Sequence, residues 1–283
     1  MSPRATVVRI GVQRGWIEFR QSVTDVQEMW SMLSPWGISL AVLYVLRKRP
    51  VPGTHFSLSV QSIPGILGMN VVFTGLLGVA IALTMDREDG TLLRAKATPN
   101  GMLGYLIGRV TSRAAMTIAG LLIILIPAAF LFHGLHLRDF LSWLKLAGIL
   151  LLGLMATLPI GAILGALFSN AQSIGIISLP MMGLVAISGI FYPITALPGW
   201  LQRAAQEFPV YWLGLGMRSV LLPNAMSAAE IGGSWRQPEM IFVLGGWAVI
   251  GFLLAPAVLR RMARRESGSS VARRREKARR RQA

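Results

Sequence analysis

Charges of both signs crowd into Asp86-Arg87-Glu88-Asp89-Gly90-Thr91-Leu92-Leu93-Arg94, between two long apolar runs. Residues of this kind, in a short polar interruption, suit contact with another protein better than catalysis. Other groups with chemical potential are scattered. His133 and His136 are three apart and could share a helical face, yet Asp139 is the one carboxylate near them and the chain has no cysteine, so a loop pair is the simpler reading than a metal site. Arg109 and Arg113 are four apart and could meet anionic headgroups or substrate, or snorkel to an interface. Glu207 stands alone in apolar surroundings, where it could bind or gate a substrate or face water. No Gly-x-x-x-x-Gly-Lys-Ser/Thr phosphate loop occurs, so the chain is not expected to cradle ATP itself.

The elements that must position these groups are set by hydropathy. The 283 residues have a mean hydropathy of +0.57 and a net charge of +16, which requires apolar runs and charge to be segregated. An uncharged run of about 20 residues spans a hydrocarbon core of about 30 Å as a helix. Six segments meet or approach that length: Trp30–Leu46, Ile63–Met85, Ala114–Phe132, Leu146–Phe168, Ser173–Tyr192 and Met240–Leu259. None contains an internal Asp, Glu or His, which argues against a proton-coupled carrier. Cytoplasmic flanks are enriched in Lys and Arg. Placing both termini in the cytoplasm gathers Arg4, Arg9, Arg14 and Arg20, the basic residues around the second connection, and the basic residues after Leu259 on one side. Arg47-Lys48-Arg49 then faces outward as an exception. No short apolar run with a small-residue cleavage site opens the chain, so no removable signal peptide is expected.

Three regions follow: an N-terminal segment (1–29), a six-span region (30–259) and a basic tail (260–283). In the first, Trp16, Phe19, Val23, Val26 and Trp30 recur at helical spacing opposite Arg14, Glu18, Asp25 and Glu28, predicting an amphipathic helix along the inner membrane surface. Ser169-Asn170-Ala171-Gln172 is so short that spans four and five must be antiparallel neighbours. The long connection Pro193–Glu239 is expected on the outer side, with a helix start at Pro198-Gly199-Trp200-Leu201-Gln202. The apolar stretch Phe208-Pro209-Val210-Tyr211-Trp212-Leu213 predicts segments that dip into the outer interface and return. Gly104/Gly108 and Gly161/Gly165 permit close helix approach, and Pro127, Pro159 and Pro180 can kink their spans. The tail carries eleven basic residues and reads as a topology and anionic-lipid anchor rather than a nucleic-acid site, since no aromatic stacking or base-reading residues accompany it.

Within the first motif, Asp89, Leu92, Leu93 and Lys96 recur at three or four, predicting a short helix with an apolar and a charged edge, entered at Gly90 and ended by Pro99. The order Asp86-Arg87-Glu88-Asp89-Gly90-Thr91-Leu92, then Ala97-Thr98-Pro99, resembles the signature after the second span of ABC-2-type transporter permeases, the membrane subunits of ABC exporters. Leu197-Pro198-Gly199-Trp200-Leu201-Gln202, with Phe208-Pro209 and Arg218, is similar to that family's segment before the last span, except that Phe208 stands where Asn commonly precedes the proline.

The resemblance implies an all-α membrane protein with an N-terminal interfacial helix, a cytoplasmic coupling helix between spans two and three, and short outer re-entrant helices between spans five and six. It implies that Asp86, Arg87, Glu88, Asp89, Gly90, Thr91, Leu92 and Pro99 couple the chain to a separate ABC ATPase subunit. It assigns Pro198, Gly199, Trp200, Leu201, Phe208 and Pro209 to the outer re-entrant segment. No cofactor is expected in this chain; ATP and magnesium would sit on the ATPase. A second permease subunit, like or unlike, and membrane lipids complete the expected partners. Drug or antibiotic export is the function the resemblance favours, with lipid, glycolipid or polysaccharide export and a non-transporting scaffold as alternatives.

Overall fold

The computed structural model describes residues 3–46, 58–98, 100–132, 135, 139–168, 171–190 and 192–265. Arg47-Lys48-Arg49, Pro99, His133, His136 and the tail from residue 266 lie outside the described residues. Among the described residues the protein is helical throughout.

The amphipathic pattern forms α1 (Pro3–Thr24), which starts earlier than its apolar periodicity suggests and ends where Asp25 breaks the helix. The Thr24 hydroxyl turns back onto the Arg20 and Gln21 carbonyls, and Asp25 Oδ1 accepts from Gln27 N–H at 2.9 Å to open α2 (Val26–Leu46). Val26 and Trp30, expected on the amphipathic helix, therefore belong to α2. Next come α3 (Leu58–Val72), a π-helical turn (Phe73–Leu77) and α4 (Gly78–Glu88), which together form one long helix. The short α5 (Thr91–Lys96) leads to α6 (Gly101–Leu131), α7 (Phe140–Leu167) and α8 (Ala171–Ile187). Two further helices, α9 (Gly199–Gln206) and α10 (Pro209–Leu221), precede the last, α11 (Gln237–Arg265).

Among the described residues, four helices are long and apolar enough to cross a membrane: Ser59–Glu88, Gly101–Leu131, Phe140–Leu167 and Gln237–Arg264, of 28 to 31 residues. At about 1.5 Å per residue each exceeds 40 Å, more than a hydrocarbon core of about 30 Å requires. Shorter apolar stretches, Trp36–Val45 and Ser178–Ile187, occupy the places of the expected first and fifth spans. The long helices extend past their apolar runs, α6 and α7 at the N-terminal end and the other two at both ends, through residues such as Arg109, Lys145 and Arg260. Arg260, Arg261, Arg264 and Arg265, assigned from sequence to the basic tail, lie in the last turns of α11.

Close packing falls where side chains are absent. Gly161 and Gly165 of α7 lie against backbone of Leu76 and Ala80, so any Cβ there would strike the α3–α4 helix. Gly68 of α3 faces Gly214 of α10, a Cβ on the former lying 3.1 Å from the Gly214 nitrogen. These contacts place α3–α4, α7 and α10 at the centre. The apolar window of α3–α4 is 72% buried, whereas that of α11 is 22% buried and leaves Phe242, Val249 and Leu253 to the lipid side.

Candidate functional site

Gly90 adopts φ +81°, a left-handed conformation that glycine tolerates without a Cβ penalty, and it splits the charged motif in two. Helix α5 is thus entered at Gly90, and Asp89, which shares the helical spacing of Leu92, Leu93 and Lys96, lies outside it. Asp86, Arg87 and Glu88 form the last turn of α4, Asp89 and Gly90 make the turn, and α5 begins at Thr91. Asp89 Oδ1 accepts from Thr91 N–H at 2.8 Å and so closes the turn rather than lining the helix. On α5, Leu92 and Ala95 are buried while Arg94 and Lys96 are exposed, which preserves the expected apolar and charged edges on a shorter element.

The motif's first two charges point inward. Asp86 is 3% exposed and takes a bidentate pair from Arg109 of α6, with Nε at 2.6 Å and Nη2 on the other oxygen. Tyr105, one helical turn before Arg109, also donates its hydroxyl to Asp86. Arg109 Nη1 reaches Glu18 of α1 at 3.2 Å, and Glu18 accepts from Arg14 at 3.1 Å. The Arg14 and Arg109 guanidinium groups stand 5.4 and 5.9 Å from the centre of the Tyr105 ring. Two arginines and two carboxylates thus balance within one network that ties α1, α4 and α6. In a low-dielectric environment such a cluster is rigid only because each charge has partners.

Arg87 does a different job. Its Nη1 donates to the carbonyls of Ala166 at 3.1 Å and Phe168 at 2.8 Å, which close the C-terminal end of α7. A cation at the negative end of a helix dipole satisfies carbonyls that have no partner within the helix. The turn carrying Gly90 is consequently fixed to three neighbours: α6 and α1 through Asp86, and α7 through Arg87.

Helix α1 can come near enough to join this network because Gly15 stacks on the backbone of Gly108 and Gly11 on Ile107. The opposite face of α1 leaves Val8, Val12, Trp16 and Ile17 exposed, as an interfacial helix requires. Between α1 and the Gly90 turn lies a polar cleft of about 640 Å³ lined by Gln21, Asp25, Asp86, Asp89, Thr91 and Arg109.

The other predicted segment is two helices meeting at Phe208. Pro198 caps α9, whose Trp200 is 65% exposed, and Leu201 N–H bonds the Pro198 carbonyl at 2.9 Å. Pro209 is the first residue of α10, where its missing N–H costs nothing. The indole of Trp212 donates to Gln206 O at 2.6 Å and that of Trp247 to Glu207 O at 2.9 Å, pinning the bend. The Glu207 carboxylate is on an exposed residue and its backbone serves the hinge. Almost all of α10 is buried, including Arg218, whose Nε lies 2.6 Å from Glu230 and whose Nη1 donates to Gly189 O at 3.1 Å.

Sequence reasoning located Asp86 and Arg109 but did not join them. The signal was present: Tyr105 and Arg109 sit one turn apart at the start of the third span, on a segment with no carboxylate of its own. Arg218 was noted only as part of a motif, and Glu230 was not singled out at all.

The family model for ABC-2 family transporter proteins matches residues 49–257, well over half of the chain. Similar relatives include the probable doxorubicin resistance ABC transporter permease protein DrrC from two strains of Mycobacterium tuberculosis, CDC 1551 / Oshkosh and ATCC 25618 / H37Rv. Each is 26% identical over 185 residues, covering 63% of this chain and 64% of the relative's length. With its long apolar helices, its helical fold and this match, the chain is an all-α membrane protein and belongs to the ABC-2 family of transporter proteins.

Proposed function

We propose that the chain is the permease subunit of an ATP-driven exporter that moves an amphiphilic, drug-like compound out across the cytoplasmic membrane. Both termini are cytoplasmic in this reading, a second permease subunit completes the pathway, and a separate ABC ATPase binds ATP and magnesium. The observation that carries it is the bracing of the Gly90 turn. A segment that receives force from a partner must not fold away under load, and Asp86 and Arg87 fix this turn to α1, α6 and α7 at once. Glu88, Asp89, Thr91 and Arg94 then form the edge offered to the ATPase, and Leu92 anchors α5 to the bundle. Pro198, Gly199, Trp200, Leu201, Phe208 and Pro209 shape the outer end of the pathway. The drug-like substrate is supported by the printed name of the relatives, which concerns doxorubicin resistance.

Co-expression with genomic neighbours and purification in detergent tests this directly. A phosphate-loop ATPase should co-purify, and Glu88→Ala or Gly90→Pro should leave hydrolysis while abolishing its stimulation by substrate. Purification of a stable chain with no ATPase under conditions that preserve membrane complexes overturns the proposal. Stimulation by lipid-linked sugars and not by amphiphilic drugs would redirect it to glycolipid export.

A further inference from the structure

We propose that the groove between α6, α7 and α11 is a binding site for one anionic phospholipid, whose headgroup bridges α5 and the end of α11. The groove encloses about 860 Å³, and its two ends differ chemically. One end is rimmed by Lys96 of α5 and by Arg260 and Arg264 of α11, all on exposed residues. The floor below them is apolar, with Leu106 and Val110 from α6, Leu154 and Leu158 from α7, and Phe252 and Leu259 from α11. No carboxylate lines it.

Three dimensions of fit point to this occupant. The cations complement a phosphate, and Arg260 and Arg264, four apart on α11, face it from one side while Lys96 faces it from the other. The apolar floor complements acyl chains. The length also agrees: Phe252 to Arg264 rises about 18 Å along α11, against about 15 Å for half of a hydrocarbon core. A second copy of the chain would have to bury three cations against a groove that has no acidic counterpart in its lining.

The test is retention of phosphatidylglycerol or phosphatidylcholine of matched acyl chains by the full chain, purified in detergent and read by native mass spectrometry. One phosphatidylglycerol should survive delipidation while phosphatidylcholine is lost. The triple substitution Lys96→Gln, Arg260→Gln and Arg264→Gln should weaken retention roughly a hundredfold, since each cation near an anionic headgroup contributes on the order of 1 kcal/mol. Removing two exposed cations that do not line the groove, Lys145→Gln and Arg203→Gln, should leave it unchanged. Because the chain has no cysteine, Phe252→Cys supplies a second arm that keeps all charges: a bulky maleimide at that position should block phosphatidylglycerol. Equal retention of the two lipids, equal loss from the Lys145 and Arg203 control, or no block by the maleimide overturns the site. Efficient disulfide cross-linking of Phe252→Cys between copies in native membranes would assign the groove to a second subunit and equally overturn it.

Discussion

Arg87 at the α5 end and Arg218 at the α10 end both donate to carbonyls at the close of a helix, α7 and α8 respectively, yet their surroundings differ. Beside Arg87, Asp86 belongs to a network in which Arg109 is 20% exposed and Glu18 21% exposed, open to the polar cleft. Arg218 and Glu230 are 2% and 5% exposed, and Arg218 Nη2 and Glu230 Oε2 find no hydrogen-bond partner among the described residues. The first corner is charged, fully partnered and near water. The second is a dry ion pair that desolvation makes costly and that holds only while both members remain. A pair of this kind fixes geometry, here the register of α10 against α8 and the segment before α11, rather than adding much net stability.

That contrast can be broken experimentally. Glu230→Ala should have the largest effect, a loss of about 3–5 kcal/mol, because it leaves Arg218 buried and uncompensated. Unfolding in detergent checks it, and Arg218→Met with Glu230→Leu should recover most of the loss. Asp86→Asn should cost less, about 1.5–3 kcal/mol, the scale of hydrogen bonds to charged groups, since Arg109 keeps Glu18 and access to water. If Asp86→Asn proves as damaging as Glu230→Ala, the two corners do not differ in the way described. Gly15→Val sharpens the picture of the α5 end: its side chain meets the Gly108 backbone, so overpacking of about 1–3 kcal/mol should appear as faster hydrogen exchange in α1 and loosened α1–α6 packing. Arg94→Gln, on the exposed edge of α5, should change stability by no more than about 0.5 kcal/mol. Its effect belongs in the ATPase assay, so a large stability loss there would show that the edge is structural.

Much of the architecture was legible in the residues because a bilayer leaves little choice: uncharged runs of this length become helices that satisfy their own backbone. Gly108 and the pair Gly161/Gly165 do mark close packing, whereas Gly104 has room for a side chain, and the glycine in the charged motif does mark a turn. Helix ends were less legible. The Asp86–Glu88 turn reads as a connection because it is charged, but helical hydrogen bonding continues through it, since Asp86 and Arg87 find partners on other helices. The dip at Phe208-Pro209 was expected at an interface, whereas α10 is almost wholly buried, because Gly214 and Gly216 let its backbone settle against α3 and α7.

By itself, the sequence determined what short-range physics controls: which runs are apolar enough to be helices in lipid, where Gly90 and Pro209 turn or start an element, and which segments carry family motifs. Only the tertiary structure decided which charges face outward. Asp86 and Glu88 are two residues apart and chemically alike, yet Asp86 is buried beneath Tyr105 and Arg109 while Glu88 stays partly exposed at the helix edge. Whether a carboxylate is a contact surface or an internal brace depends on which side chains arrive from helices tens of residues away, and that is a property of packing.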